Sequence, residues 1–435
     1  MTYIKRKKKK IAIIGGGISG LTAAYFLSGE YDISLYESKS MLGGHAITLE
    51  KKIRDKNNIL KKFFFDIGFL VYNEKNYPNF KKLLKKINVK TQKSSMSFSV
   101  STKELDFEYG STGILSITNN FKNIFFRNFW IMIIDIFKFY KLAKELLECH
   151  SANYLTLGGF LKKNKFSEVF VRNHLIPMCG AIWSTSTIEV FKMPTKYIFK
   201  FLDNHGLLNI YRRPKWLTIS NGSINYVKKL EKSIVAKVFK NEKVINVERK
   251  NKKVFIHSKS FSKQYNKVIF AVHGDDVLKL LKQPSIKEKE VFSKCRYEVN
   301  NILVHQDPQL MPKNKNVWSS WNVLNVGEDF ESKSKICVTY WINKLQNFQT
   351  KQPILVTLNP PKNNKIKKEK ILEKVVLKHP ILGKDHLSLR DEVNDLQGKK
   401  NTYYTGAWLG YGFHEDGLKA SCSIVELLRF RKKDD

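Results

Sequence analysis

The stretch IAIIGGGISG, residues 11–20, decides the fold of this chain. Its first four residues are all apolar, as expected of a short strand buried on both faces of a parallel sheet. The glycines lead into a segment with helical spacing, residues 21–28, and a second apolar strand follows at residues 33–36. Together these segments predict a β-α-β unit of roughly thirty residues, the building block of a doubly wound α/β domain.

The spacing of the glycines predicts a dinucleotide site. Gly15 permits a tight turn, Gly17 lets the backbone approach a pyrophosphate, and Gly20 lets helix and strand lie close together. The free amides at the helix start, including that of Ser19, would face the negative phosphates. Glu37 ends the second strand, where a carboxylate can accept hydrogen bonds from both hydroxyls of an adenosine ribose. A carboxylate there disfavours a 2′-phosphate, so we expect a dinucleotide other than NADP.

Segments further along the chain extend this unit into a discontinuous domain. Residues 243–249 and 253–257 predict a hairpin, residues 267–272 another buried strand, and residues 402–405 a last strand before a closing helix that starts at Gly417. At 435 residues the chain is long enough for two well-cored domains. We therefore expect a Rossmann-like domain of residues 10–75, 226–280 and 401–435, and an inserted α+β substrate domain of residues 76–225 and 281–400.

The composition indicates a folded, cytoplasmic protein with a strongly basic surface. The net charge of +38 has two interpretations, a surface attracted to anionic lipid or nucleic acid, or compositional drift towards lysine. No nucleic-acid-binding signature is present, so we expect no specific nucleic-acid partner. The five cysteines show neither a C-x-x-C pair nor metal-ligand spacing, which predicts reduced thiols and no metal site. The basic start precedes a strand rather than an export signal, and no apolar window is long enough to span a membrane.

One stretch, FKNIFFRNFWIMIIDIFKFY at residues 121–140, is almost entirely aromatic and aliphatic. As a helix it would be apolar over most of its circumference. Two interpretations remain open. It is either a buried helix of the substrate domain, or a helix half sunk in a bilayer surface with Trp130 at the interface and its basic side chains reaching the headgroups.

Two further motifs follow the first strand pair. Gly43-Gly44-His45 lies six residues past Glu37, and Asp66-Ile67-Gly68 comes later. The order GxGxxG, E-x5-GG and D-x-G resembles the superfamily of flavin-containing amine oxidases, phytoene desaturases and protoporphyrinogen oxidases. It is more similar still to a bacterial branch of predicted NAD/FAD-binding, amine-oxidase-like proteins, whose genes often lie beside cyclopropane-fatty-acyl-phospholipid synthases.

The resemblance extends over nearly the whole chain. It includes DIGFLVYNE (66–74), YPNF (77–80), MSFSV (96–100), AIWS (181–184), FLDNHG (201–206), RPKW (213–216), TYWIN (339–343), GAW (406–408) and HEDG (414–417). Two departures from the amine oxidases matter: His45 replaces a common arginine, and Gly406-Ala407 replaces Gly-Glu. A smaller departure from the branch is Asn221-Gly222-Ser223, where a glycine pair is usual. The first two weaken the expectation of an amine substrate and fit the closer branch.

The resemblance implies non-covalently bound FAD. Val244 would hold the adenine through its backbone, and the last helix would direct its N-terminus at the pyrimidine side of the flavin, where negative charge gathers on reduction. Asp416 has a second interpretation as a plain N-cap carboxylate. The expected cofactor-binding residues are Gly15, Gly17, Ser19, Gly20, Glu37, Gly43, Gly44, His45, Asp66, Gly68, Val244, Gly406, Glu415, Asp416 and Gly417.

The catalytic residues are less evident from the sequence, because flavin chemistry often needs no protein base. His414, beside the last glycine turn, is the first candidate proton donor or acceptor, and His45 is the second. Trp408 and Tyr411 are candidates for walls of the flavin site. We expect His174 and His205 to be packed histidines of the inserted domain.

We therefore expect an FAD-dependent oxidoreductase acting on a hydrophobic small molecule or a phospholipid acyl chain, such as a methylated or cyclopropane-type chain. An anionic surface on the inner face of the membrane and a fatty-acyl methyltransferase are the expected partners. The alternatives are a flavin amine oxidase that produces an imine and hydrogen peroxide, and a non-catalytic FAD-bearing lipid or RNA binder.

Overall fold

The apolar run before the glycine turn forms the central strand of a five-stranded parallel sheet in the computed structural model. The structure describes residues 8–102, 107–110, 125–149, 155–209, 213–325, 335–383 and 385–433. The described strands are β1 (Lys10–Ile14), β2 (Asp32–Tyr36), β3 (Thr48–Arg54), β4 (Leu60–Asp66), β5 (Tyr72–Asn73), β6 (Thr91–Ser94), β7 (Phe98–Thr102), β8 (Phe107–Gly110), β9 (Trp216–Ile219), β10 (Ala236–Phe239), β11 (Val244–Lys250), β12 (Lys253–Ser258), β13 (Ser262–Tyr265), β14 (Lys267–Phe270), β15 (Tyr297–His305), β16 (Trp321–Asn325), β17 (Cys337–Trp341), β18 (Leu355–Leu358), β19 (Ile371–Pro380) and β20 (Thr402–Tyr404).

The helices alternate with these strands. They are α1 (Ile18–Leu27), α2 (Pro78–Lys86), α3 (Arg127–Glu148), α4 (Leu157–Lys163), α5 (Glu168–Phe170) with a π-helical turn at Val171–Leu175, α6 (Ile176–Trp183), α7 (Thr187–Lys192), α8 (Thr195–Asn204), α9 (Ile224–Ser233), α10 (Gly274–Leu280), α11 (Ile286–Ser293), α12 (Ile342–Gln346), α13 (His386–Asn394) and α14 (His414–Lys433). Short 3₁₀ turns lie at Pro308–Leu310, Lys315–Val317, Lys368–Lys370, Lys399–Asn401 and Ala407–Leu409.

The parallel sheet has the strand order β10-β2-β1-β14-β20. Its strands come from the start, the middle and the end of the chain, which confirms the prediction of a Rossmann-like sheet with a discontinuous sequence. The closing helix α14 begins at His414, three residues earlier than predicted.

Both faces of this sheet are covered, as the all-apolar β1 requires. Because successive side chains of a strand point to opposite faces, β1 contributes to two cores. Ile11 and Ile13 lie in one core with α1, α2, α9 and α14. Ala12 and Ile14 lie in the other core, with the antiparallel sheet β11-β12-β13 and helices α10, α11 and α13.

The predicted hairpin is confirmed and gains a third strand, β13. The two residues that join β11 to β12, Asn251 and Lys252, both have positive φ, 52° and 56°. Two consecutive left-handed residues are typical of the tight turn that matches the twist of paired strands.

The second large sheet has seven strands in the order β19-β15-β18-β17-β16-β7-β8, and only the β16–β7 pairing is parallel. One of its faces shares the largest apolar core with α3, α4, α6 and α8. The inserted part of the chain is therefore a mixed α and β layer, as expected.

The expected boundaries between the two parts need correction at three helices. Helix α2, which we placed in the inserted domain, lies in the core that contains α1 and α14. Helices α11 and α13, placed there as well, contribute Val291, Phe292, Leu389 and Val393 to the core under β14 and β20. The apolar faces of these three helices pack in the two cores of the parallel sheet. The part of the chain that forms the Rossmann-like domain is therefore larger than predicted.

Helix α3 contains most of the aromatic stretch predicted at residues 121–140, and residues 121–124 lie outside the described residues. Phe129, Met132 and Phe139 are buried on its inner face, and Asp135 accepts a hydrogen bond from Ser167 N at 2.8 Å. The described helices include none with the length and apolar character of a membrane span.

Candidate functional site

The first glycine turn is tight because backbone lies directly against it. Gly15 has φ +106°, and its amide donates to Tyr36 O at 2.8 Å. A Cβ on Gly15 would lie 2.5 Å from Ala271 O, and one on Gly20 would lie 1.8 Å from Gly15 O. Because these neighbours are backbone atoms, neither position accepts a larger residue, and α1 starts close to the carboxyl ends of β1, β2 and β14.

The second glycine pair lies against the first. Gly43 N donates to Gly16 O at 2.8 Å, and Gly43 and Gly44 both have positive φ. A Cβ on Gly44 would lie 3.0 Å from Gly17 Cα. A Cβ on Gly17, by contrast, would meet Gly44 Cα only at 3.9 Å, with nothing closer beyond its chain neighbours. The space beside Gly17 is therefore open, as the close approach of a phosphate group requires.

Two helix N-termini meet beside this space. Helix α1 starts at Ile18 and α14 at His414. A Cβ on Gly417 would lie 2.7 Å from Ser19 Oγ, and Ser421 Oγ donates to Ser19 O at 2.8 Å. The positive end of the α1 dipole therefore favours an anion in this space, which the start of α14 borders.

Glu37 and Val244 lie at the same edge of the sheet. Glu37 Oε2 accepts a hydrogen bond from Gly16 N, and its Oε1 accepts one from Lys39 N, both at 2.9 Å. Glu242 N donates to Glu37 O at 2.9 Å, which brings the start of β11, and with it the buried Val244, beside the end of β2. The two residues predicted to hold the adenosine are therefore close to the glycine turn and to each other.

The prediction that Asp66 binds the cofactor needs correction, because its buried carboxylate accepts five hydrogen bonds from protein donors, which fill both oxygens. Glu37 differs, since its Oε2 accepts only one from the described residues. Asp66 accepts hydrogen bonds from Thr48 Oγ1 at 2.5 Å, Ser223 N at 2.8 Å and Gln346 Nε2 at 2.8 Å. Burial raises the pKa of Asp66 to about 6, and these hydrogen bonds act in the opposite direction. Asp66 therefore joins the hairpin β3-β4 to the start of α9 and to α12.

The carboxylates of Glu415 and Asp416 are also directed at protein. Glu415 accepts hydrogen bonds from Asn79 Nδ2 at 2.8 Å and Phe80 N at 2.9 Å, in the first turn of α2. Asp416 accepts one from Phe413 N at 3.0 Å, directly before α14, and burial raises its pKa to about 6. Asp416 is the third residue of α14, and its side chain accepts from the amide that precedes the helix, so it caps the helix start from within rather than as the N-cap residue itself. Glu415 links two helices rather than facing the glycine turn.

Gly406 makes room for a tryptophan rather than for a cofactor. A Cβ there would lie 2.2 Å from Trp408 Nε1, which itself donates to Val272 O at 3.0 Å. Trp408 is buried against Phe292 in the core under β14. Trp408 therefore does not wall an open site, which corrects that expectation.

His414 is a packed residue rather than a catalytic one. Its Nε2 lies 2.9 Å from Tyr226 OH, and its ring stacks on Phe69 at 3.7 Å. Burial lowers the pKa of His414 to about 3. A neutral, enclosed imidazole is poorly placed to exchange protons with a substrate, so the first catalytic candidate is withdrawn.

His45 borders the second glycine pair as predicted, and two unpredicted histidines lie beside it. The ring centroids of His273 and His379 are each 5.5 Å from that of His45. A Cβ on Gly68 would lie 2.1 Å from His45 O, so the D-x-G motif fixes the backbone of His45. The sequence indicates His273 as a candidate, because it directly follows the predicted strand at residues 267–272, and ligands bind at the carboxyl ends of parallel strands. No comparable pattern indicates His379 in the inserted part.

An aromatic wall stands before α14. Tyr197 and Tyr411 have ring centroids 4.2 Å apart, and Phe201 stacks on Phe413 at 5.2 Å. Tyr197 OH donates to Gly410 O at 2.8 Å, which ties α8 to the turn that precedes α14. These four rings, Tyr197, Phe201, Tyr411 and Phe413, are called the aromatic wall below.

These features define a class of protein, in which a Rossmann-like dinucleotide-binding domain carries an inserted sheet domain. Residues 13–87 match the family model of the NAD(P)-binding Rossmann-like domain. None of the curated proteins compared with the chain matches its sequence.

Solved structures share the fold over almost the whole chain. A CLA-producing fatty acid isomerase from P. acnes is 16% identical with a TM-score of 0.66, over 96% of this chain and 98% of that one. Cyclohexylamine oxidase from Brevibacterium oxydans IH-35A is 13% identical with a TM-score of 0.69, over 97% and 100%. A redesigned putrescine oxidase is 12% identical with a TM-score of 0.66, over 98% and 99%. The chain thus has the amine-oxidase-like fold that its motifs predicted.

Proposed function

We propose that this chain is an FAD-dependent oxidoreductase whose cofactor lies along the glycine turn. The observation that carries the proposal is the open space beside Gly17, bordered by the second glycine pair and by the N-termini of α1 and α14. The residues fit a dinucleotide: Glu37 and Val244 would hold the adenosine, and the amide of Ser19 would face the diphosphate. FAD, held without a covalent bond, would supply hydride transfer at its N5 atom.

Flavin titration of matched glycine variants tests the cofactor site. Gly17→Val would fill the space beside Gly17, so we expect it to abolish FAD binding measured by quenching of flavin fluorescence. Gly29→Val is the control, because a Cβ at Gly29 would have no neighbour within 4 Å. A Gly17→Val protein that binds FAD as tightly as the control would refute this placement.

We further propose an apolar substrate, such as a methylated or cyclopropane-type fatty acyl chain of a membrane phospholipid. The aromatic wall supports this, because four adjacent rings exclude water and favour hydrocarbon. The likeness in fold to a fatty acid isomerase is consistent with it. A fatty-acyl methyltransferase would be the enzyme class that supplies such a chain. The net charge of +38 disfavours polyamines, which it would repel.

Anaerobic reduction of the FAD-loaded protein distinguishes the substrates. Phospholipids with methylated, cyclopropane and unmodified acyl chains would be compared with cyclohexylamine and putrescine, because two structures of the same fold are oxidases of these amines by name. We expect flavin bleaching with a modified lipid and no peroxide with either amine in air. Peroxide release with an amine and no response to lipid would favour the amine oxidase instead.

We also propose that helix α3 contacts an anionic membrane surface. Phe126, Trp130, Ile134 and Phe137 follow one another at spacings of three or four residues, so they share one face, and each is at least 50% exposed. Lys141 continues the same face one turn later. An apolar face with adjacent basic groups on a protein of charge +38 suits the headgroup region of an anionic bilayer.

Vesicle sedimentation tests this contact. We expect the protein to sediment with phosphatidylglycerol-containing vesicles at low salt and less at high salt. The double variant Ile134→Ser and Phe137→Ser should weaken binding by about thirtyfold, since each half-exposed side chain can contribute about 1 kcal/mol on insertion. Ile286→Ser and Val376→Ser, at exposed apolar positions of other elements, are the controls. Equal losses in both pairs would contradict a role for α3.

A further inference from the structure

Three histidines from separate elements meet beside the second glycine pair. His45 follows Gly44, His273 lies directly before α10 and three residues after the end of β14, and His379 is the next-to-last residue of β19. Their rings are grouped around His45, with centroid distances of 5.5 Å to each of the other two. We refer to His45, His273 and His379 as the histidine cluster.

Hydrogen bonds fix how two of these rings carry their protons. His45 Nε2 lies 3.0 Å from Lys378 O, and because a carbonyl only accepts, Nε2 carries the hydrogen and Nδ1 keeps its lone pair. His379 Nδ1 accepts from Asn300 Nδ2 at 2.9 Å, since Asn300 Oδ1 already accepts from Asn359 Nδ2 at 2.7 Å. His379 therefore carries its hydrogen on Nε2.

Burial favours the neutral form of all three imidazoles. Burial lowers the pKa of His45 to about 3 and that of His379 to about 4, and it lowers the pKa of His273 as well. His273 also stacks on Tyr297, with ring centroids 4.6 Å apart. Each ring could therefore gain a proton if a nearby anion offset the cost of burying its charge.

Both aspartates that face the histidine cluster form ion pairs with lysines. Asp275 pairs with Lys378 at 3.4 Å, and Asp276 pairs with Lys279 at 2.6 Å. Other histidines and lysines further lower the pKa values of the rings, whereas the two aspartates raise that of His273. The groups that face the histidine cluster from its neighbouring elements are Lys39, Asp275, Asp276, Lys378 and His414.

The position of the histidine cluster indicates which anion it would meet. His45 adjoins Gly44, which lies against Gly17, and His273 follows two residues after Ala271, which lies against Gly15. We propose that the histidine cluster binds the diphosphate of the dinucleotide and takes up a proton from solvent when it does so. This proposal rests on the proposed FAD site. It adds to that site two residues of the inserted part, Lys378 and His379.

Proton uptake would make cofactor affinity depend on pH. A diphosphate carries two negative charges, which favour an imidazolium that the empty protein disfavours. Because the complex would hold more protons than its separate components, binding should weaken as pH rises. For one linked proton we expect the dissociation constant of FAD to increase about tenfold between pH 5.5 and pH 7.5.

Calorimetry and flavin fluorescence with the unmodified protein test the proposal. Titration with FAD in two buffers of different ionisation enthalpy should show net uptake of a fraction of a proton near pH 6.5. His273→Gln and His379→Gln should bind FAD more weakly at pH 5.5 and show a flatter pH profile. His257→Gln is the control, since His257 Nδ1 lies 2.8 Å from Ser262 Oγ on the neighbouring strand β13 and His257 is not a member of the histidine cluster.

The outcomes separate this proposal from the proposed function. If FAD binds tightly with a dissociation constant that does not change with pH and without proton uptake, the proposed role of the histidine cluster is wrong. The proposed cofactor site would still be supported by that result. A failure to bind FAD at any pH would overturn both. Because the decisive measurement uses the unmodified protein, it does not depend on whether the variants fold.

Discussion

Asp66→Asn should change how the stability of this protein depends on pH. Burial holds the pKa of Asp66 at about 6 in the folded protein, against a value of 3.8 without the fold. Because the folded state binds the proton more tightly, the contribution of Asp66 to stability is fully present below pH 3.8 and is lost as pH rises through 6. A shift of this size corresponds to about 3 kcal/mol in all, and to about 2 kcal/mol between pH 4.5 and pH 7.

The asparagine variant lacks this titration but keeps an acceptor for Ser223 N, while its amide opposes the amide of Gln346. We therefore expect it to be less stable than the wild type at pH 4.5, by about 1–3 kcal/mol, with the difference reduced by about 2 kcal/mol at pH 7. Urea unfolding of both proteins between pH 4.5 and pH 7 gives the difference in their free energies of unfolding. The other titrating groups are the same in both proteins, so their contributions cancel in this difference. Asp391→Asn, at an exposed position of α13, is the control. A difference that stays constant within about 0.5 kcal/mol would refute the reasoning.

Three other substitutions test the site as it is built. Gly20→Ala places a Cβ against backbone and should cost about 3 kcal/mol or more of stability together with FAD binding, whereas Gly29→Ala should be neutral in both thermal unfolding and flavin titration. Glu415→Ala removes the acceptor for three donors of α2 and should lower the free energy of unfolding by about 1–3 kcal/mol. Lys419→Ala, which removes only an exposed partner 3.9 Å away, should cost far less. His414→Phe keeps the stacked ring, so FAD reduction by dithionite and FAD affinity should persist, and their loss would restore His414 as a functional group.

The glycine turn was predictable because its determinants are local. Gly20 meets Gly15 within the same β-α-β unit, and the apolar run before them requires a sheet covered on both faces. The contact of Gly15 with Ala271 is distant in sequence, but the spacing of the glycines indicates the turn without it. The same holds for the hairpin at Asn251, whose turn type depends on two residues. Patterns that depend on residues close together in the sequence can be predicted without knowledge of the tertiary fold.

The roles of the acidic motif residues were not predictable, because their partners are distant in sequence. Asp66 meets Ser223 and Gln346, and Glu415 meets Asn79 and Phe80. A carboxylate near a glycine motif is compatible with a cofactor contact and with a structural one, and only the tertiary fold distinguishes them. His379 is a similar case, since its ring meets that of His45, a residue more than 300 positions earlier in the sequence.

The placement of these carboxylates strengthens the choice of α1 as the anion site. Asp66 accepts from the amide directly before α9, Glu415 from an amide in the first turn of α2, and Asp416 from the amide directly before α14. Each acid thus satisfies donors that a helix start leaves unpaired. Helix α1 has no such acid: its N-cap is Gly17, no side chain caps it, and its first turn carries no acidic residue. Among these four helix starts in the described part of the chain, α1 is the one whose amides await an external anion. The space beside Gly17 is where a diphosphate can reach them.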